Sequence, residues 1–116
     1  MTSSERTGDE LVQVLSTLSN PHRIRIVAAL LDGREYVSRL ARRLQISRAL
    51  LQVHLRKLEA AGLVEATLEL SPDGKAMKYY TIRQFAIELT PQALAAAAAT
   101  LTYEEARLRD DAQGQG

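Results

Sequence analysis

"ISRALLQVHLRKLEAAGLV", residues 46–64, is the stretch on which the fold turns. It reads as a polar cap, a long amphipathic helix and a glycine stop, followed by the first residues of a strand. Ser47 can cap the helix with its hydroxyl. Leu51, Leu55 and Leu58 recur at the spacing of a buried helix face. Gly62 ends the helix. The opposite side carries Arg48, Gln52 and Arg56, with His54 off to one flank. That side is either a solvated charged face or a surface built to read something, and its neighbours in the chain bear on which.

Upstream, Ser38 to Leu44 forms a two-turn helix that buries Leu40, Ala41 and Leu44 and shows Arg39, Arg42 and Arg43 on its polar side. Gln45-Ile46 makes a tight turn into the next helix. Two helices joined by about three residues, the second longer and positively decorated, form the helix-turn-helix pattern. Downstream, "LVEATLEL" (63–70) alternates apolar and polar side chains, and "MKYYTI" (77–82) is a rougher partner strand. "SPDGKA" (71–76) lies between them, and its Pro and Asp-Gly are hairpin-turn chemistry. A helix-turn-helix followed by a β-hairpin is a winged helix, so the expected class is α+β and mainly helical.

Working outward, residues 1–8 read as a tail and Asp9 to Leu18 as a short helix with Leu11, Val14, Leu15 and Leu18 at 3–4 spacing. In "SNP", Asn20 is a cap and Pro21 occupies the first helical position, where its missing N–H costs nothing. The second helix runs to Leu31, with Ile24, Ile26, Val27, Leu30 and Leu31 as its expected buried side, and Asp32-Gly33 ends it. "REYV" is a short extended piece. Thr90-Pro91 repeats the cap-then-proline signal and opens a final helix expected over 91–112. Leu94, Leu101 and Leu108 recur there every seven residues, flanked by Ala97, Ala98 and Tyr103. A helix after the wing has little left to pack on in so small a domain, so this line is expected to meet a second copy. Residues 113–116 form a frayed end. The domain is therefore 9–112, with terminal dimerisation helices at 9–18 and 91–112.

The chain has 116 residues, enough for one domain with a thin core. It contains no cysteine, which removes disulfides, thiolate metal sites and cysteine nucleophiles together. The longest apolar run, Ala93 to Leu101, falls short of the roughly 20 residues that cross a bilayer. The start, "MTSSERTGDE", is not a secretory signal, so a cytoplasmic protein without membrane contact is expected. Net charge is only +1. Its distribution says more: residues 34–57 hold Arg34, Arg39, Arg42, Arg43, Arg48, Arg56 and Lys57 against Glu35 alone, a local charge of +6, whereas residues 88–116 carry −3. One basic segment in a near-neutral chain points to a local anionic partner, although arginines also decorate ordinary helix surfaces.

These stretches together resemble the ArsR-type (ArsR/SmtB) winged-helix transcriptional repressors. "LSNPHRIRIVAALL" (18–31) is similar to that family's second helix, "VSRLARRLQISRALLQVHLRKLEAAGLV" (37–64) to its helix-turn-helix, and "DGKAMKYY" (73–80) to its wing. The resemblance spans about residues 10 to 87. It implies a symmetric homodimer closed by the first and last helices, with Leu11, Leu15, Leu94, Ala97, Ala98, Leu101 and Leu108 at the interface. It also implies that the two fourth helices enter successive major grooves of double-stranded DNA. The chain departs from the metal-sensing members. Where the founding members carry a cysteine motif this chain reads "EYVSRLARR", and its last helix contains no histidine. DNA binding and dimerisation carry over, while metal sensing does not. No cofactor is expected, and the signal that relieves repression stays open between a small apolar molecule in the dimer interface, a protein partner and none at all.

Residue by residue, Ser47, Arg48, Ala49, Gln52, Val53, His54 and Arg56 are the expected recognition-helix contacts. Arg can bridge guanine O6 and N7, and Gln can bridge adenine N6 and N7. Leu50 and Val53 are apolar where the resembled motif is usually polar. They can touch a thymine methyl, or they can pack against the wing or a neighbouring element. His54 can reach a phosphate, cap a backbone group or serve as an internal hydrogen-bonding partner. Arg39, Arg42 and Arg43 are placed to neutralise phosphates, as are the wing lysines Lys75 and Lys78. A second reading, a winged helix used for protein interaction without specific DNA binding, rests on Leu50 and Val53. No nucleophile motif and no glycine-rich phosphate loop is present, so catalysis is not expected.

Overall fold

The computed structural model describes residues 6–102. Its elements are α1 (Gly8–Leu18), α2 (Pro21–Leu31), β1 (Glu35–Tyr36), α3 (Val37–Leu44), α4 (Arg48–Ala60), β2 (Val64–Leu70), β3 (Ala76–Ile82) and α5 (Pro91–Ala98). This is the expected α+β winged helix-turn-helix. The chain divides into two compact units, Val14–Phe85 and the pairing of the segment up to Gln13 with that from Ala86 onward.

Each cap signal in the sequence finds its hydrogen bond. Asn20 accepts from the backbone N–H of His22 and Arg23, Ser47 from that of Leu50, and Thr90 from that of Ala93. Each satisfies a donor that a helix start leaves open. At α1 the cap is reciprocal. Glu10 N–H donates to the Thr7 hydroxyl at 3.1 Å, and Thr7 N–H donates to the Glu10 carboxylate at 2.9 Å. α4 stops at Gly62, whose φ of +78° suits glycine. Leu63 N–H then closes on Leu58 C=O at 3.0 Å.

The core of Val14–Phe85 is continuous apolar packing. Ile26, Leu40, Leu51, Leu55, Leu58 and Leu63 are all fully buried, with Leu30, Val64 and Tyr80 nearly so. The sheet is antiparallel with strand order β1-β3-β2. Tyr80 pairs with both Glu35 and Ala66, and Leu68 pairs with Lys78. The hairpin is buried at its base and exposed along its length, with Leu68 69% and Leu70 74% exposed. At its tip the Ser71 hydroxyl donates to the Asp73 carboxylate and accepts from Lys75 N–H. The first of these bonds holds the Asp73 carboxyl below the usual carboxylate range. Gly74, at φ +87°, turns the chain.

Three expectations are corrected. Ile24 and Leu31 of α2 are exposed and Val27 is half-buried, rather than buried, because α2 turns Ile26, Ala29 and Leu30 inward and seven-residue spacing leaves Ile24 and Leu31 together on the far side. Leu44 is half-buried rather than buried. The final helix ends at Ala98, where the chain turns through Ala99 and Thr100, so Leu101 lies past its end. The remainder of the expected 91–112 helix, including Tyr103 and Leu108, lies outside the described residues.

In the terminal unit the start of α1 meets the exit of α5. Gly8 N–H donates to the Thr100 hydroxyl at 2.7 Å, and the Asp9 carboxylate accepts from the backbone N–H and the hydroxyl of Thr102. The approach is so close that a Cβ on Gly8 would lie 2.2 Å from the Ala97 carbonyl oxygen and 2.8 Å from Leu101 Cγ. Gly8→Ala is therefore expected to cost about 1–3 kcal/mol of stability through overpacking. Urea unfolding checks this, and an unchanged midpoint would mean that the α5 exit draws back freely.

Candidate nucleic-acid interface

The direction in which α4 presents its side chains follows from what it buries. Leu51, His54, Leu55 and Leu58 are buried and mark its inner side. At about 100° per residue, the opposite direction falls on Ala49, Val53, Arg56 and Ala60, all of which are exposed. Arg48 and Gln52 lie on one flank, where Arg48 is exposed and Gln52 half-buried. Leu50 and Lys57 lie on the other flank, both exposed. The expected contacts Ser47, Arg48, Ala49, Val53 and Arg56 thus share one accessible surface. Val53 is 41% and Leu50 39% exposed, so neither is packed away under the wing or another described element.

The basic segment sorts itself by ion pairing. Arg43 pairs with Asp32 at 2.5 Å, Arg39 with Glu35 at 3.8 Å and Arg34 with Glu69 at 3.5 Å. Arg34 also lies 4.1 Å over the Tyr79 ring. These three pairs are largely solvated and individually weak. Each nonetheless offsets one of the seven positive charges. Arg42, Arg48, Arg56 and Lys57 have no acidic partner among the described residues, and three of these four stand on α4. Lys75 is exposed at the wing tip, and the Lys78 ammonium lies 5.6 Å from the Tyr80 ring centroid.

His54 is a correction. It is 5% exposed, so it cannot meet a phosphate from where it stands. Arg23 Nε donates to His54 Nδ1 at 3.0 Å, and Arg23 Nη1 donates to the Thr17 carbonyl at 3.1 Å. One guanidinium therefore ties α4 to α2 and to the end of α1. The His22 ring stands 5.2 Å away, tilted by 33°. A nitrogen that accepts from arginine carries no proton, so His54 is neutral with its proton on Nε2, which is buried without a partner among the described residues. Burial first, then the charges of Arg23, His22 and Lys57, push its pKa below the ordinary 6.5. Sequence reasoning passed over Arg23 as a functional contact. Its only sequence signal was the Pro-x-Arg opening of the second helix, and nothing local links it to a histidine 31 positions on.

The expected dimer residues lie in different environments. Leu94, Ala98 and Leu101 are exposed, Leu15 and Ala97 are half-buried, and Leu11 is 9% exposed. Within its own protomer Leu11, with Ala93, Ala96 and Ala97, lines a cavity of about 240 Å³. Among the described residues no helix is long and apolar enough to cross a membrane.

A helix-turn-helix with an exposed, cation-bearing second helix and a projecting hairpin defines a DNA-binding winged helix. Comparison with known proteins agrees. Residues 20–66 match the family described as bacterial regulatory protein, arsR family. The chain is 37% identical over 76 residues to an uncharacterised HTH-type transcriptional regulator of Methanocaldococcus jannaschii, covering 66% of this chain and 79% of that protein. An ArsR-like transcriptional regulator from Rhodococcus sp. RHA1 superposes with a TM-score of 0.56 at 27% identity, covering 91% of this chain and 89% of that one. A homodimeric winged helix-turn-helix DNA-binding domain from Mycobacterium bovis, 21% identical, shares the fold with a TM-score of 0.57 over 93% of this chain and 85% of that one. The chain belongs to the ArsR family and is by class a DNA-binding transcriptional regulator.

The His54 contact makes stability depend on pH in a defined direction. Its folded pKa lies below the unfolded value, so the unfolded chain takes up a proton near pH 6.5 that the folded chain refuses. The contribution is complete above pH 6.5 and is lost as pH falls from there through the folded pKa. His54→Asn, which keeps an acceptor toward Arg23 but does not titrate, is expected to lose less stability than wild type between pH 7.5 and 5. Urea unfolding across that range measures both, and equal slopes would argue against a buried neutral His54.

Proposed function

We propose that the chain is a homodimeric repressor that works in the cytoplasm and binds a roughly palindromic operator, with the outer face of α4 in the major groove. The observation that carries this is the sorting of charge: among the described residues, Arg48, Arg56 and Lys57 on α4 and Arg42 on α3 have no acidic partner, while Arg34, Arg39 and Arg43 are paired. Unpaired cations on an exposed recognition helix suit phosphate and base contacts. Ser47, Arg48, Ala49, Gln52, Val53 and Arg56 face or flank the bases in this reading. Arg39, Arg42, Arg43, Lys75 and Lys78 follow the backbone, with Arg39 and Arg43 first giving up weak solvated pairs.

Dimerisation is supported by apolar residues left exposed in the terminal unit, Val12 at 39%, Leu89 at 59%, Leu94 at 45% and Leu101 at 43%. A second copy would remove them from water, and the Mycobacterium bovis domain of the same fold is described as homodimeric. Half-sites should then lie about one helical turn, or a multiple of it, apart.

Selection from random duplexes with sequencing, at two salt concentrations, tests this reading, with a palindromic motif as the expected product. On the selected duplex, Arg48→Ala is expected to cost about 1–3 kcal/mol and to relax preference at one base position. Arg42→Ala should weaken all sequences alike and lower the salt slope by about one. Unchanged affinity in both variants, or no binding at low salt, would refute it.

A further inference from the structure

We propose that the recognition helix reads the 5-methyl group of a pyrimidine, through Val53 supported by Ala49, as a main determinant of operator choice. This rests on the DNA-binding reading above and assigns it a base chemistry. In the first three turns of α4 the outward direction falls on Ala49, Val53 and Arg56, with Ala60 following at the C-terminal end, whereas Gln52, the residue type suited to adenine, is half-buried on a flank. A helix seated in the major groove presses its outermost side chains on the base edges. Two of those three are apolar, and Val53 is 41% exposed in the protomer.

The base edges are unequal partners for such a surface. Guanine offers N7 and O6, adenine N7 and its amino group, and cytosine its amino group, while thymine adds an apolar methyl. A valine against any of the polar groups strips water from a donor or acceptor and returns no hydrogen bond. Against the methyl it removes apolar surface from water on both sides. Valine also suits the task by its stiffness, since one χ1 rotamer dominates in a helix and its methyls are already in place. Ala49, one turn earlier and about 6 Å away along the axis, is small enough to let the helix approach. Arg48 and Arg56 frame the pair with hydrogen-bond donors, so the arrangement favours a thymine beside a guanine.

The test is a thymine-to-deoxyuridine exchange. Deoxyuridine keeps base pairing and every polar group and lacks only the methyl. In the selected duplex each thymine is replaced in turn, and binding of the full chain is followed by fluorescence anisotropy. One or two positions per half-site should lose about fourfold in affinity, the value of one buried methyl-sized group. Val53→Ala should erase the difference between the thymine and uracil duplexes at those positions. Val53 is exposed, so the variant should fold, and circular dichroism confirms it. Should it not, the wild-type exchange alone still decides. If uracil is tolerated at every thymine while the motif persists, or if Val53→Ala retains the discrimination, the inference is overturned and the DNA-binding reading stands. If wild type selects no duplex at low salt, both are overturned.

Discussion

The zero exposure of Leu51, Leu55 and Leu58 is the constraint on which the rest depends. A helix with three leucines buried on one side has no rotational freedom left. Turning α4 by even one residue, about 100°, would bring one leucine row into water and drive polar groups into the core, and each buried aliphatic side chain contributes about 1.5–3 kcal/mol. The core therefore sets which residues α4 offers outward. It also decides against the simplest reading of the helix, in which Arg48 and Gln52 are the outermost pair.

Electrostatics completes the placement. Arg23 spans α2, the end of α1 and α4 by bonding the Thr17 carbonyl and His54 Nδ1 together. A guanidinium keeps its proton at all ordinary pH, so this bond requires histidine in its neutral form. The recognition helix is thus held to α2 by a contact sensitive to protonation, alongside apolar packing that is not. Around it, acidic residues from the α2 exit, β1 and β2 take up Arg43, Arg39 and Arg34. Of the cations of residues 34–57 that have no acidic partner among the described residues, three of four stand on the helix whose rotation the core has already set. Packing sets Arg56 on the outward face and leaves Arg48 and Lys57 on its two flanks, so the exposed side of α4 is framed by cations.

Much of this was legible beforehand. The caps at Asn20, Ser47 and Thr90, the stop at Gly62 and the hairpin turn around Gly74 are local chemistry, complete within a few residues. The leucine spacing of α4 reports burial through period alone, whereas the alternation of β2 marks a strand but not a buried face, since Leu68 and Leu70 are exposed; the family match over residues 20–66 takes in α4 and the start of β2. Less legible was everything that depends on partners far along the chain. α2 is apolar on most of its circumference, so its pattern could not separate the inward Ile26 and Leu30 from the exposed Ile24 and Leu31. The alanine-rich segment after Pro91 has high helix propensity, yet α5 ends at Ala98, where hydrogen bonds from Gly8 and Thr102 join the chain to the start of α1.

The sequence by itself determined that this is a winged helix-turn-helix with a basic recognition region, because element type, element ends and turn chemistry are set by neighbours three or four residues apart. Only the tertiary structure decided what that region presents. His54 went from candidate contact to internal partner of Arg23. Val53 went from an ambiguous apolar residue to the centre of the exposed face. Rotation of a helix, pairing of a charge and burial of a side chain are set by groups distant in sequence, and those groups meet only when the chain is folded.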